Sequence, residues 1–178
     1  MENQSTIDHL NRLFESCCIE LFQQKNCNIS RTEEPASISG SDPIGTLDAG
    51  SDELELIVFL QLPLNVLSLT YPTSDVTTVG EEELEDWTAE LCNQLIGRIK
   101  NKLLNHNLRL DIGLPNAYFG SDISELLPSE GIQTTYRFSV DNEVLEATLV
   151  IDLQQPDLIL SEDEDSDSGP EEGELELF

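Results

Sequence analysis

The sequence predicts an α+β domain in which helices pack against a mostly antiparallel sheet. Two segments, residues 7–24 and 81–105, carry apolar residues at helical spacing. Between and after them lie apolar stretches of strand length, and only Asp141 and Asn142 separate the last two, which is typical of a β-hairpin. The predicted order is a helix, two strands, a short helix, the long helix and three strands.

The composition limits the classes of function. The chain has 178 residues, a net charge of −28 and a hydrophobic content of 38%. The length suits one domain, residues 1–160, and the low hydrophobic content indicates that part of the chain is unfolded. The charge argues against nucleic acid and anionic membrane as partners, because both are also negative. No basic segment leads into an apolar run at the N-terminus, and the longest apolar stretch, Leu56–Leu60, is too short to span a bilayer.

The chain contains four cysteines, Cys17, Cys18, Cys27 and Cys92. They form no CxxC pair and no regular framework, so we expect reduced thiols in a cytoplasmic protein. Neither of the two histidines, His9 and His106, has neighbours typical of a metal site. We therefore expect this chain to bind no metal and no cofactor.

The first helix is predicted over Ile7–Gln24, with Ser5 or Thr6 as its N-cap. After Asn28 the helical pattern gives way to Ser, Glu, Pro, Gly and Asp. This composition predicts a flexible loop over about residues 28–43.

Two strands and a short helix are predicted next. Ile44–Asp48 forms a short extended stretch, and Leu54–Leu62 is almost continuously apolar. We therefore expect the second strand in the middle of the sheet, with both of its faces covered. Residues 63–69 predict a short helix, which Tyr71 and Pro72 stop.

The second half of the chain predicts the remaining strands. Leu108–Leu114 alternates like a strand and ends at Pro115. Gln133–Val140 and Val144–Leu153 form the predicted hairpin.

Residues 161–178 are predicted to be disordered, because this acidic segment cannot bury enough apolar surface to offset its ordering entropy. The segment ends in a small apolar cluster at Glu174–Phe178. That cluster is either without a binding role or a docking peptide for a partner.

The long helix divides into two faces at about 100° per residue. The apolar side is formed by Leu84, Trp87, Leu91, Leu95, Ile99 and Leu103, with Cys92 and Ile96 expected at its margin. The opposite side carries Asp86, Glu90, Asn93 and Gly97. A glycine inside a helix costs roughly 1 kcal/mol relative to alanine. Either the close approach of another backbone or packing within the domain would explain Gly97.

Glu90 and Asn93 lie one turn apart, so their side chains project in nearly the same direction. The Asn amide can hold a water through both a donor and an acceptor, and the Glu carboxylate can pair with a cation on a partner. This division suits the hydrolysis of an acyl phosphate, which needs an in-line water and charge stabilisation more than a strong base. Taken alone, such a pair is also what a solvated helix surface carries.

The surrounding residues resemble the signature of the CheC/CheX/FliY phosphatases. In that signature Asp86, Glu90 and Asn93 are followed by Gly97 and then by Pro115. Glu90–Gly97 is similar to the active helix of the family, and Asp111–Gly120 to its next strand and loop. The similarity is specific over about residues 84–120, and over residues 7–153 it is one of pattern.

The resemblance implies a phosphatase that hydrolyses the aspartyl-phosphate of a CheY-type receiver domain in chemotaxis or two-component signalling. It implies that Asn93 orients the attacking water and that Glu90 pairs with the receiver's lysine. The Mg²⁺ would belong to the receiver. The sequence has a single Glu–Asn pair, since the nearest second candidate, Asp8 and Asn11, has Asp in place of Glu. A single pair indicates a CheX-like protein, and the resemblance implies that such a protein is commonly a homodimer.

The sequence leaves two alternatives open. The chain could be a binding module or adaptor of the same fold that holds a receiver without hydrolysing anything. It could also be an acidic assembly protein related to flagellar switch components, in which case its complexes would not depend on phosphorylation.

Overall fold

The computed structural model describes residues 2–73, 79–120 and 122–160. The predicted acidic tail and its terminal apolar cluster lie outside these residues. The helices in the described part are α1 (Glu2–Gln24), α2 (Leu64–Thr70), α3 (Glu81–Leu104) and α4 (Ile123–Leu126). The strands are β1 (Ile29–Arg31), β2 (Ile44–Gly50), β3 (Leu54–Gln61), β4 (Asp111–Ile112), β5 (Asn116–Tyr118), β6 (Ile132–Val140) and β7 (Glu143–Leu153).

The described strands form one sheet with the order β1-β6-β7-β3-β2-β4, and β5 also pairs with β2. Every one of these pairings is antiparallel. Asp141 and Asn142 form the turn between β6 and β7 with φ angles of 48° and 73°. These are the left-handed conformations that a two-residue hairpin turn requires and that Asp and Asn tolerate. The predicted α+β class and hairpin are confirmed.

The core lies between one face of the sheet and the two long helices, α1 and α3. Along β3, Leu54, Leu56, Val58 and Leu60 alternate towards these helices and are buried. Phe59 points to the other face, where it packs with Ile44, Val150 and residues of α4. The prediction that β3 is covered on both faces is therefore confirmed.

Three sequence-based boundaries were wrong. α1 begins at Glu2, so Ser5 and Thr6 lie inside the helix and neither is its N-cap. The predicted loop over residues 28–43 contains the short strand β1, which pairs with the end of β6. A three-residue strand has too few residues to show a period, so its pairing partner determines it.

The predicted strand Leu108–Leu114 is reduced to the two residues of β4, followed by β5 beyond Pro115. Leu108 and Leu110 are buried in the core, which explains the alternation that suggested a strand. α4, which covers the second face, was not predicted. It has only four residues, and a segment that short carries no helical periodicity.

Polar side chains fasten α3 to α1. Lys102 Nζ lies 2.5 Å from Glu20 Oε1 and donates to Ser16 Oγ at 3.1 Å. Arg98 donates to the side-chain oxygen of Gln24. These contacts hold one flank of α3 against α1 and fix the rotation of α3 about its own axis.

Gly45 sets how closely α3 approaches the sheet. A Cβ atom at this position of β2 would lie 2.6 Å from Cys92 Sγ, 2.9 Å from Thr88 Cγ2 and 3.0 Å from the Thr88 carbonyl oxygen. The first two distances are shorter than real Cβ atoms show, and the third is tighter than most real Cβ contacts. The helix therefore rests on the backbone of β2 at a place where only glycine fits.

We expect Gly45→Ala to destabilise the fold by about 1–3 kcal/mol, because the added methyl overpacks the contact with α3. Urea unfolding measures this loss. Gly40→Ala is the control, since a Cβ at Gly40 would have no atom within 4 Å. Removing the sulfur should relieve the clash, so the loss in the Gly45→Ala/Cys92→Ala double variant should be smaller than the sum of the single losses. An unchanged stability of Gly45→Ala would contradict this packing.

The Glu20–Lys102 pair predicts a pH dependence of stability. Partial burial raises the pKa of Glu20, but hydrogen bonds from Lys102 and Ser16 outweigh it and hold the pKa below its usual value. A lowered folded-state pKa contributes stability above the unfolded-state pKa, and this is lost as the pH falls through the folded-state pKa. Glu20→Gln should therefore be less stable than wild type at pH 7, and the difference should be smaller at about pH 3. Chemical unfolding at both pH values measures the difference, and an equal gap at both would contradict the pairing.

Candidate functional site

The candidate site lies on α3, and the sequence explains why this helix forms. No proline interrupts residues 81–104, and Gly80 serves as N-cap, with its N–H donating to the Glu83 carboxylate at 3.0 Å. Glu81, Glu82 and Glu83 occupy the first turn, where negative charge is favourable for the helix dipole.

The buried side of α3 is broader than the predicted stripe. It is formed by Thr88, Leu91, Cys92, Leu95, Ile96, Ile99 and Leu103. Cys92 and Ile96, expected at the margin, are fully buried, because α3 packs on β2 as well as on α1. Trp87, expected in the core, is only partly buried at its edge, where its indole N–H donates to Thr70 Oγ1 at 3.0 Å.

Glu90 and Asn93 lie on the exposed side of α3, as predicted, and their side chains meet. Asn93 Nδ2 donates to Glu90 Oε2 at 3.4 Å, and Gln94 Nε2 donates to Glu90 Oε1 at 2.9 Å. Each carboxylate oxygen thus faces an amide on the same helix, and the bond from Gln94 is the shorter of the two. The bond from Asn93 is long, so a water or a partner's cation can replace it at little cost.

Cys92 lies between these two residues in sequence but not in space. Its side chain points into the core, and burial raises the pKa of its thiol to about 12. The reactive form of cysteine is the thiolate, so a buried thiol with a raised pKa is not a nucleophile for the exposed face. The chemistry open to the exposed face is therefore hydrogen bonding and charge stabilisation by Glu90 and Asn93.

Gly97 lies one turn beyond Asn93 and faces open space. A Cβ atom there would have no neighbouring atom within 4 Å outside the nearby helix backbone. Packing within the domain therefore does not explain this glycine, although it was one of the two explanations that the sequence allowed.

Asp8 and Asn11 on α1 do not repeat the arrangement of Glu90 and Asn93. Asp8 accepts a hydrogen bond from Gln4 Nε2 at 2.8 Å. Asn11 is half-buried, and its Oδ1 is enclosed with no hydrogen-bond partner within the described chain. Across residues 2–73, 79–120 and 122–160, no group of three or more His, Cys, Asp or Glu side chains is placed to hold a metal ion.

Arg98 and Lys100 are the two cations that follow Asn93 most closely in sequence on α3. Arg98 is directed towards α1, where it donates to Gln24, so its guanidinium contributes to the contact between the two helices and not to the exposed face.

The sequence did not single out Leu114, which is 82% exposed beside β5. The alternation over Leu108–Leu114 would place this leucine on a buried face, and only the fold shows that it is exposed.

Comparison with solved structures identifies the fold. A CheX chemotaxis protein from Vibrio vulnificus superposes with a TM-score of 0.63 at 14% sequence identity, covering 80% of this chain and 96% of that one. CheX in the CheX–CheY–BeF₃–Mg²⁺ complex from Borrelia burgdorferi superposes with a TM-score of 0.61 at 16% identity, covering 79% of this chain and 96% of that one. The chain has the CheC/CheX/FliY fold.

The same fold extends to a FliM domain. The FliM middle domain from Vibrio alginolyticus superposes with a TM-score of 0.55 at 7% identity, covering 83% of this chain and 93% of that one. No protein-family model and no curated protein matches the sequence. Of the helices in the described residues, none has the length and apolar character needed to cross a membrane.

Proposed function

We propose that this chain is a phosphatase that hydrolyses the aspartyl-phosphate of a CheY-type receiver domain in chemotaxis or two-component signalling. The observation that carries the proposal is the exposed pair of Glu90 and Asn93, whose side chains touch on a helix fixed to the core. The CheX fold supports the same reaction class, and in the Borrelia burgdorferi complex a CheX protein binds CheY.

Asn93 orients the attacking water. Its carboxamide offers a donor and an acceptor, so it can hold a water in one direction relative to the phosphorus. Hydrolysis of an acyl phosphate depends on an in-line water and on the stabilisation of spread negative charge, and a strong base is not required. A hundredfold gain from such positioning corresponds to about 2.7 kcal/mol, which one well-placed amide can supply.

Glu90 pairs with the receiver's lysine and thereby fixes how the receiver docks. In the free protein its two oxygens accept from Asn93 and Gln94. Docking exchanges the long bond from Asn93 for a charge-assisted bond to the lysine, which frees the Asn93 amide for the water. The Mg²⁺ is held by the receiver and is part of the substrate. A cytoplasmic location and a homodimer paired through the sheets belong to the same proposal.

The main alternative is a receiver-binding adaptor that does not hydrolyse anything. The measurement that separates the two is the decay of a ³²P-labelled receiver in a single turnover. The phosphatase shortens the phosphoryl lifetime, whereas an adaptor leaves it unchanged or lengthens it. A third alternative is an assembly protein related to flagellar switch components, whose complexes would form equally well with phosphorylated and unphosphorylated partners. The FliM middle domain shares the fold.

We expect Asn93→Ala to abolish the accelerated decay of the phosphorylated receiver and to leave receiver affinity within about twofold of wild type. The variant removes the water-orienting amide and no docking group. Decay of the ³²P label measures the rate, and titration with the receiver measures affinity. Gln23→Ala, an exposed position on α1, is the control and should keep full activity. Wild-type decay rates with Asn93→Ala would sink the mechanism.

We expect Glu90→Ala to weaken both receiver affinity and hydrolysis. The lost charge-assisted bond should cost about tenfold in affinity. The hydrolysis rate at saturating receiver should also fall, since the receiver is then held less rigidly against Asn93. Varying the protein concentration in the decay assay separates the two effects. An unaltered affinity would remove Glu90 from the docking role.

A further inference from the structure

The exposed pair lies near one particular flank of α3. Cys92 points at the sheet, so Asn93, about 100° further round the helix, lies on one flank, and Gly97 follows on that side one turn later. Arg98 and Lys102 bond to α1 from the other flank. The flank of Asn93 and Gly97 is therefore the one away from α1, on the side where α3 contacts β5.

The loop between β4 and β5 presents an apolar side chain at this edge of the sheet. Leu114 is 82% exposed, the largest exposure among the large hydrophobic residues of the described chain. The Gly113 N–H donates to the Asp48 carbonyl oxygen at 2.9 Å, and Asn116 Nδ2 donates to the Leu114 carbonyl oxygen at 3.1 Å. These bonds fix the loop backbone, so Leu114 is exposed on a fixed support.

Gly113 and Gly97 differ in what surrounds them. A Cβ at Gly113 would lie 2.6 Å from both carboxylate oxygens of Asp48, an exposed side chain of β2 that would have to turn away. At Gly97 a Cβ would meet nothing within 4 Å. A glycine that the domain does not need, inside a helix where alanine is more stable, leaves room for something outside the domain.

We propose that Leu114 and Gly97 form the docking surface for the receiver domain, with an apolar receiver side chain against Leu114 and receiver backbone close to Gly97. The proposal rests on the proposed function, because the substrate of Glu90 and Asn93 has to approach α3 from its exposed side. The net charge of −28 does not attract a receiver whose phosphate pocket is acidic. Apolar contact on the side of α3 that faces β5 supplies affinity that long-range charge does not.

The test titrates a CheY-type receiver with bound beryllium fluoride and Mg²⁺ into the wild-type protein and three variants. Leu114→Ser should weaken binding about tenfold, as expected for loss of a leucine buried on docking. Gly97→Ala should weaken binding about fivefold and raise the thermal unfolding midpoint, because alanine favours the helix. Leu69→Ser is the matched control: this leucine of α2 is 54% exposed, and its loss should leave affinity unchanged.

The outcomes separate this surface from the catalytic proposal. Wild-type affinity in both Leu114→Ser and Gly97→Ala would overturn the docking surface, while a receiver decay that still depends on Asn93 would keep the phosphatase. Weakened binding in both variants, with no acceleration of decay by wild type, would support the surface and overturn the phosphatase. A lowered unfolding midpoint in Gly97→Ala would assign that glycine to the fold. If the wild-type protein does not bind the receiver that carries beryllium fluoride, both proposals are overturned.

Discussion

The contact between α3 and the backbone of β2 at Gly45 is the constraint on which the rest of the structure depends. Gly45 has no side chain of its own, so the side chains of Thr88 and Cys92 rest directly on the backbone of the strand. This contact and the packing against α1 bury one side of α3. The opposite side, with Glu90 and Asn93, is left facing outwards. The same close fit that buries the Cys92 thiol therefore also directs the polar pair away from the core.

The contacts of α3 with α1 and β2 set the position of the helix that carries Glu90 and Asn93. Lys102 and Arg98 bond to α1 on one flank, and the glycine contact holds the helix from below. Glu90 and Asn93 need little further organisation, because the fixed helix already sets the angle between them. Catalysis by positioning depends on such fixed geometry, since a misplacement of about 1 Å can cost about a hundredfold in rate. The mechanism proposed for Glu90 and Asn93 therefore depends on the packing that holds α3 in place.

The sequence predicted the elements that are long enough to show a regular hydrophobic period. The helical spacing from residue 81 to 105 placed Glu90 and Asn93 opposite the core, and the apolar run of β3 placed that strand mid-sheet. The sequence could not show that Cys92 is fully buried, because the width of the buried face of a helix depends on how many elements pack on it. It missed β1 and α4 because neither is long enough to show a period. Leu114 alternates with Leu108 and Leu110 as a core residue would, yet only those two are buried.

The most direct measurement of the catalytic geometry is a crystal structure of this chain bound to a CheY-type receiver charged with beryllium fluoride and Mg²⁺. Beryllium fluoride stands in for the phosphoryl group on the receiver's aspartate. We expect the Asn93 carboxamide to face the beryllium from the side opposite the aspartate oxygen, with room for one water between them, and the Glu90 carboxylate to bond to the receiver's lysine. A receiver docked elsewhere, with Glu90 and Asn93 still in solvent, would contradict the proposed role of α3.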